Sequence, residues 1–162
     1  MRTIVMGLLA IAFTLSAPAA SETRAADGHG GSRDNEMVQP NDLKWADVPT
    51  LPPGAKVAVI EGPPNEAVPF IMRLKFPANY KIPAHWHPAI EHLTVLSGTF
   101  NMGIGDKLDP AKTKPLPVGG VMIIQPKIPH FAWTKEEVTV QVHGVGPWGV
   151  TYVDPSEDPR KK

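Results

Sequence analysis

Apolar and polar residues alternate with a period of two along several short stretches of this chain, the mark of strands with one face buried. Phe70, Met72, Leu74 and Phe76 fall on one parity, and Ile71, Arg73 and Lys75 on the other. Val138, Val140 and Val142 alternate with Thr139, Gln141 and His143, and Phe100, Met102 and Ile104 share one side of another strand. Residues 56–60 and 121–124 are short apolar strands, residues 80–86 a further one, and residues 148–153 the last. Glu91, Leu93 and Val95 lie on one face of a strand that ends at Gly98. Residues 105–118 interrupt the series with Asp106, Lys107, Asp109, Lys112 and Lys114, a solvated loop whose functional reading would be a lid over a pocket mouth. Strands at this spacing, with turn residues between them, predict an all-β sandwich or barrel in a single domain.

Composition supports that reading. Nineteen prolines and 14 glycines among 162 residues leave few windows for a long helix. Lys and Arg together number 16, as do Asp and Glu, so no charge excess draws the chain to nucleic acid. The absence of cysteine removes disulfides, thiolate ligands and a cysteine nucleophile. At the start, Arg2, an apolar run over residues 4–15 and Ala17-Pro18-Ala19 make a signal peptide over residues 1–19. Its removal predicts a periplasmic or secreted protein without stable membrane insertion. Residues 20–42 are polar and read as a flexible lead-in, and the folded domain is expected over residues 43–159 with a tail at 160–162.

Chemistry concentrates at Pro83-Ala84-His85-Trp86-His87-Pro88-Ala89-Ile90-Glu91. On an extended strand His85 and His87 point to one face, and the turn at Pro88 and Ala89 can bring Glu91 back beside them. Two imidazoles and a carboxylate form a nitrogen and oxygen ligand set for a divalent first-row metal. His130, after Pro129 at the end of a second apolar strand, is placed to be the fourth ligand.

These residues resemble the cupin superfamily. Its first motif, Gly, five residues, His-x-His, three or four residues, Glu, six residues, Gly, is matched by His85, His87, Glu91 and Gly98, with Asn79 at the first glycine. Asn tolerates left-handed backbone and can take that glycine's place. The second motif keeps Gly119 and His130, but Gln125, Lys127 and Thr134 replace its proline, glycine and asparagine, and Pro126 comes one place late. Lys resists positive φ, so the turn before His130 departs from the family's pattern. The resemblance spans residues 56–153, and residues 43–159 look like short secreted bacterial cupins of unassigned function. It implies a double-sheet jelly-roll barrel, one divalent transition metal (Fe, Mn, Ni, Co, Cu or Zn) and a homodimer formed by sheet packing. Apolar residues on both faces of residues 121–124 point to self-association too.

Beyond the four ligands, Tyr80 and His143 are the candidates for an acid, base or polar contact near the metal, with Gln141 beside His143. The face carrying Gln141 and His143 is either the interior or the outside; His92, next to Glu91, should point outward. Trp86, Trp133 and Trp148 read as packing or mouth-lining residues. A lining of Phe70, Met72, Leu74, Phe100 and Met102 would be apolar, which suits oxygen chemistry on a small organic substrate. A metal-dependent enzyme of dioxygenase type is one expectation. The other is a non-catalytic module holding metal or a small ligand.

Overall fold

A computed structural model describes residues 35–162; the expected signal peptide and most of the lead-in, through residue 34, lie outside the described residues. Among the described residues eleven strands form two antiparallel sheets. The first carries, edge to edge, β1 (Ala46–Asp47), β2 (Lys56–Glu61), β3 (Pro69–Phe76), β10 (Val138–Val145), β5 (Glu91–Ser97) and β8 (Val121–Ile124). The second runs β11 (Thr151–Tyr152), β4 (Lys81–Trp86), β9 (His130–Thr134), β6 (Phe100–Ile104) and β7 (Lys114–Leu116). None of the described helical turns is long and apolar enough to cross a membrane.

The alternation in the sequence sorts side chains as expected. Phe70, Met72, Leu74 and Phe76 of β3 are buried, as are Val138, Val140 and Val142 of β10, while Ile71, Arg73, Lys75, Thr139 and Gln141 are half-buried on the other face. Phe76 of the first sheet stacks on Phe100 of the second, with ring centroids 5.3 Å apart. Each such ring removed from water contributes roughly 1.5–3 kcal/mol, and this pair ties the sheets together.

The two sheets are those of the expected double-sheet jelly roll; among the described residues no strand pairing joins them, so they are not closed into a barrel. The terminal strands are too short to bridge the gap. β1 and β11 have two residues each, and Pro115 in the three-residue β7 lacks a backbone donor. β8 is an edge strand, and it leaves Val121 and Ile123 exposed.

Three connections depart from their sequence reading. Residues 105–118 are no lid. They fold through a 3-10 turn at Pro110–Lys112 into β7 and lie on the outer face of the second sheet. There they cover Phe131, and the Trp133 indole donates to Thr113 Oγ1 at 3.1 Å. Second, the last strand shrinks to β11, because the backbone of residues 146–148 bonds to the loop at 63–68: Gly146 N–H to Val68 O at 3.0 Å and Trp148 N–H to Pro64 O at 2.6 Å. Gly146 passes so near the Glu66 carbonyl that no side chain would fit. Third, the C-terminal residues are tied down, since Arg160 chelates Asp158 at 2.7 and 2.8 Å and donates to Val150 O at 3.1 Å.

Candidate metal centre

The side chains of His85, His87, Glu91 and His130 line one cavity between the sheets, each at most 5 % exposed; the three histidines bring their ligating atoms together, and Glu91 joins them beside His87. A bulge aims the first of them. Ile82 stands opposite Ala132 and His85 opposite His130, so three residues of β4 span two of β9. The extra residue turns His85 inward although Ile82 and Ala84 are also buried. His130 opens β9 directly across from it, with ring centroids 4.3 Å apart. Glu91 opens β5 on the inward parity shared with Leu93 and Val95. The two motif turns have the backbone they need: φ is 58° at Asn79 and 60° at Lys127. Lys127 holds a conformation lysine resists because its N–H donates to His87 O at 2.8 Å, which links the two ligand-bearing segments.

All three imidazoles are oriented in the same way. Nδ1 of His85 lies 2.8 Å from Pro83 O, that of His87 2.7 Å from Gly149 O, and that of His130 3.0 Å from Ile128 O. A carbonyl only accepts, so each Nδ1 carries the proton and each Nε2 keeps its lone pair. One ligating atom from each ring lies within 4.8 Å of the others. Glu91 Oε2 sits 3.2 Å from His87 Nε2 and accepts from the Trp148 indole at 2.9 Å.

Burial sets the charge states. It drives the His85 pKa well below its ordinary value, with His130 and His87 adding to the fall, and takes His87 down to about 4. His130 is lowered for the same first reason. Burial raises Glu91 to about 7, against the opposing pull of His130 and the Trp148 hydrogen bond. His87 and Glu91 are therefore no ordinary ion pair, because the imidazole is neutral. A neutral nitrogen lone pair facing a carboxylate oxygen at 3.2 Å leaves two acceptors in contact, unless a proton or a cation joins them. Three neutral imidazoles with free Nε2 atoms and an adjoining carboxylate are what a divalent transition metal takes, and backbone carbonyls supply the outer support such ligands need. The residues fit a metal.

The cavity around them has a volume of about 30 Å³, room for about two waters. Its walls are apolar: Leu51, Leu74, Phe76, Ile82, Phe100 and Met102 are among them. Of the expected lining, Phe70 and Met72 pack elsewhere in the core.

Neither polar candidate outside the ligand set reaches this cavity. Tyr80 is buried, its pKa pushed up by burial, and its hydroxyl donates to Pro52 O. His143 is exposed on the outer face of the first sheet, stacked on His92 at 5.1 Å. Its place follows from Val138, Val140 and Val142, which take the inward parity of β10 completely. Gln141 shares the outer face and accepts from Arg73 Nε at 3.2 Å. His92 points outward as expected. Sequence reasoning missed the roles of Trp148 and Gly149. The available signal was chemical: a partly buried indole N–H must find an acceptor.

No family model matches the sequence, and no curated protein matches it. Solved structures do. The polyketide cyclase RemF from Streptomyces resistomycificus superposes with a TM-score of 0.66 at 20 % identity, over 79 % of this chain and 92 % of its own. A candidate acetylacetone dioxygenase from Methylibium petroleiphilum gives 0.59 at 17 % identity, over 82 % and 90 %. An RmlC-like cupin from Ralstonia eutropha gives 0.58 at 16 % identity, over 77 % and 76 %. At such identities the likeness is one of architecture, and on that architecture this chain has the cupin fold.

Proposed function

We propose that this protein is a metal-dependent enzyme of oxygenase type, acting on a small, largely apolar substrate able to chelate a metal. The observation that carries the reading is the common orientation of His85, His87 and His130, each Nδ1 on a carbonyl and one ligating atom of each ring within 4.8 Å of the others, with Glu91 Oε2 beside His87 Nε2. These four residues would hold the metal. When bound, it supplies Lewis acidity and, if redox-active, chemistry with dioxygen. The chain's own part is to keep the imidazoles neutral, hold Glu91 against His87, and exclude water behind walls of Leu, Phe, Ile and Met. Apart from the ligands no lining side chain titrates, so proton-transfer chemistry has no separate acid or base to work with. The likeness to a candidate acetylacetone dioxygenase supports a chelating diketone, enol or phenol as substrate class. In this reading residues 1–19 are removed on export, which the intact mass of secreted material would report.

A second reading is favoured by the small free volume of about 30 Å³: a module that holds metal without turnover. One experiment separates them. The metal-free protein is reloaded with Fe(II), Mn(II), Ni(II), Cu(II) or Zn(II) and assayed for oxygen uptake against diketones and phenols. Uptake is expected with a redox-active metal only. Turnover that persists without oxygen, or is fastest with Zn(II), rejects the oxygenase; metal held without turnover of any substrate supports the module.

A further inference from the structure

Residues 146–150 form a strap across the ligand end of the sandwich, and two of its residues touch ligands. The strap is fixed at one end by the bonds of Gly146 and Trp148 to the loop at 63–68, and at the other by Arg160 on Val150 O. Between these anchors the Trp148 ring lies over the His87 imidazole, centroids 4.5 Å apart and planes within 21°. Its other neighbour is Phe70, at 6.0 Å. The Trp148 Nε1–H donates to Glu91 Oε2 at 2.9 Å, and the carbonyl of Gly149 takes the His87 Nδ1 proton at 2.7 Å. His87 is thus pinned at one nitrogen and covered on its ring, while Glu91 is held at one oxygen. An indole N–H can only donate, so it keeps that oxygen an acceptor and fixes the carboxylate rotamer.

We infer that Trp148 is a positioning residue for the metal centre, holding Glu91 by its N–H and His87 by its ring. The inference rests on the metal reading proposed above and adds a residue outside the ligand motifs. Packing alone would leave the N–H free to bond any nearby carbonyl. Here it goes to the one carboxylate in the site. Groups that orient ligands in this way are worth about 10- to 100-fold in metal affinity.

The test is Zn(II) affinity by competition with a chelator, on wild type, Trp148→Phe, Glu91→Gln and the double variant. Phenylalanine keeps the ring over His87 and loses the N–H. Trp148→Phe is expected to melt like wild type when metal-free and to bind Zn(II) about 10- to 100-fold more weakly. Because the bond to a carboxylate is charge-assisted and the bond to the amide oxygen of glutamine is not, Trp148→Phe should cost less affinity in the Glu91→Gln background than in wild type. Should Trp148→Phe fail to fold, Arg160→Ala, which loosens the strap from its far end, carries the same comparison with a smaller loss. Wild-type affinity in Trp148→Phe, or losses that simply add, overturns the positioning role and leaves the metal reading standing. Failure of the wild type to bind Zn(II) overturns both.

Discussion

Two groups of histidines lie on opposite sides of the first sheet, one in the space between the sheets and one on that sheet's outer face. His85, His87 and His130 are buried between the sheets, each with Nδ1 on a backbone carbonyl. His92 and His143 stack on the outer face with planes 15° apart, and His92 Nδ1 has no hydrogen-bond partner among the described residues. Their cross-strand neighbours are Ile123 and Ile71. Both groups bring imidazoles within contact, so proximity does not separate them. What separates them is support: carbonyls that fix the tautomer, and a carboxylate among the nitrogens. One step of strand parity, from Glu91 to His92, divides a candidate metal centre from an ordinary surface.

Breaking the inner group should have the largest effect. His87→Ala and Glu91→Ala are each expected to abolish stoichiometric metal, read by elemental analysis, because each removes a donor of the proposed ligand set where the two side chains adjoin. His130→Ala should weaken binding severely. A His130→Ala protein that retains full metal would remove His130 from the ligand set.

Acid should act on the inner group next. In the metal-free protein the three imidazoles have folded pKa values below the unfolded 6.5, so the unfolded chain takes up their protons first. Their contribution to stability is lost as pH falls below about 6.5, down to about 4 for His87. Glu91 works in the opposite sense. Its folded pKa of about 7 lies above the unfolded 4.5, so the folded form gains stability from it as pH falls from 7 to 4.5. Three groups outweigh one, and metal-free wild type should lose stability from pH 7 to pH 5. Glu91→Gln removes the opposing contribution. Its metal-free form should be more stable than wild type at pH 8, by about 1 kcal/mol or more, and should lose stability more steeply towards pH 5. Denaturant titrations at these pH values measure both; a flatter profile in Glu91→Gln would show that Glu91 is not held as the structure has it.

Much of this was legible in the sequence because it depends on local periodicity. The parity of β3, β5 and β10, the pairing of His85 with His87, and the turn at Asn79 all follow from residues close together in the chain. Lys127 was the hard case: its left-handed backbone costs roughly 1–2 kcal/mol, and the compensating bond goes to His87, 40 positions away by number. The strap was illegible for the same kind of reason. Periodicity over residues 148–153 suggests a strand, but the backbone bonds of residues 146–148 go to Pro64 and Val68 rather than to a neighbouring strand. Likewise, nothing in the charge of residues 105–118 tells that they would cover Phe131 on an outer face. Long-range partners decide such segments, and pattern alone does not contain them.

The outer pair supplies the smallest expected effect and the sharpest control. By sequence His143 is, with Tyr80, a candidate acid or base near the metal, on a face of its strand that is either the interior or the outside. The structure puts the sheet between it and the cavity: Val142 faces inward at 0 % exposure, and His143 faces solvent. Among the described residues its one ring contact is His92, whose Nδ1 has no hydrogen-bond partner there. Removing an exposed side chain with no other bond should change stability by no more than about 0.5 kcal/mol. His143→Ala is therefore expected to match wild type in metal content, Zn(II) affinity and any turnover found, while Trp148→Phe does not. A tenfold fall in affinity or turnover in His143→Ala would mean that the outer face communicates with the site, and that histidines here cannot be sorted by parity and carbonyl support.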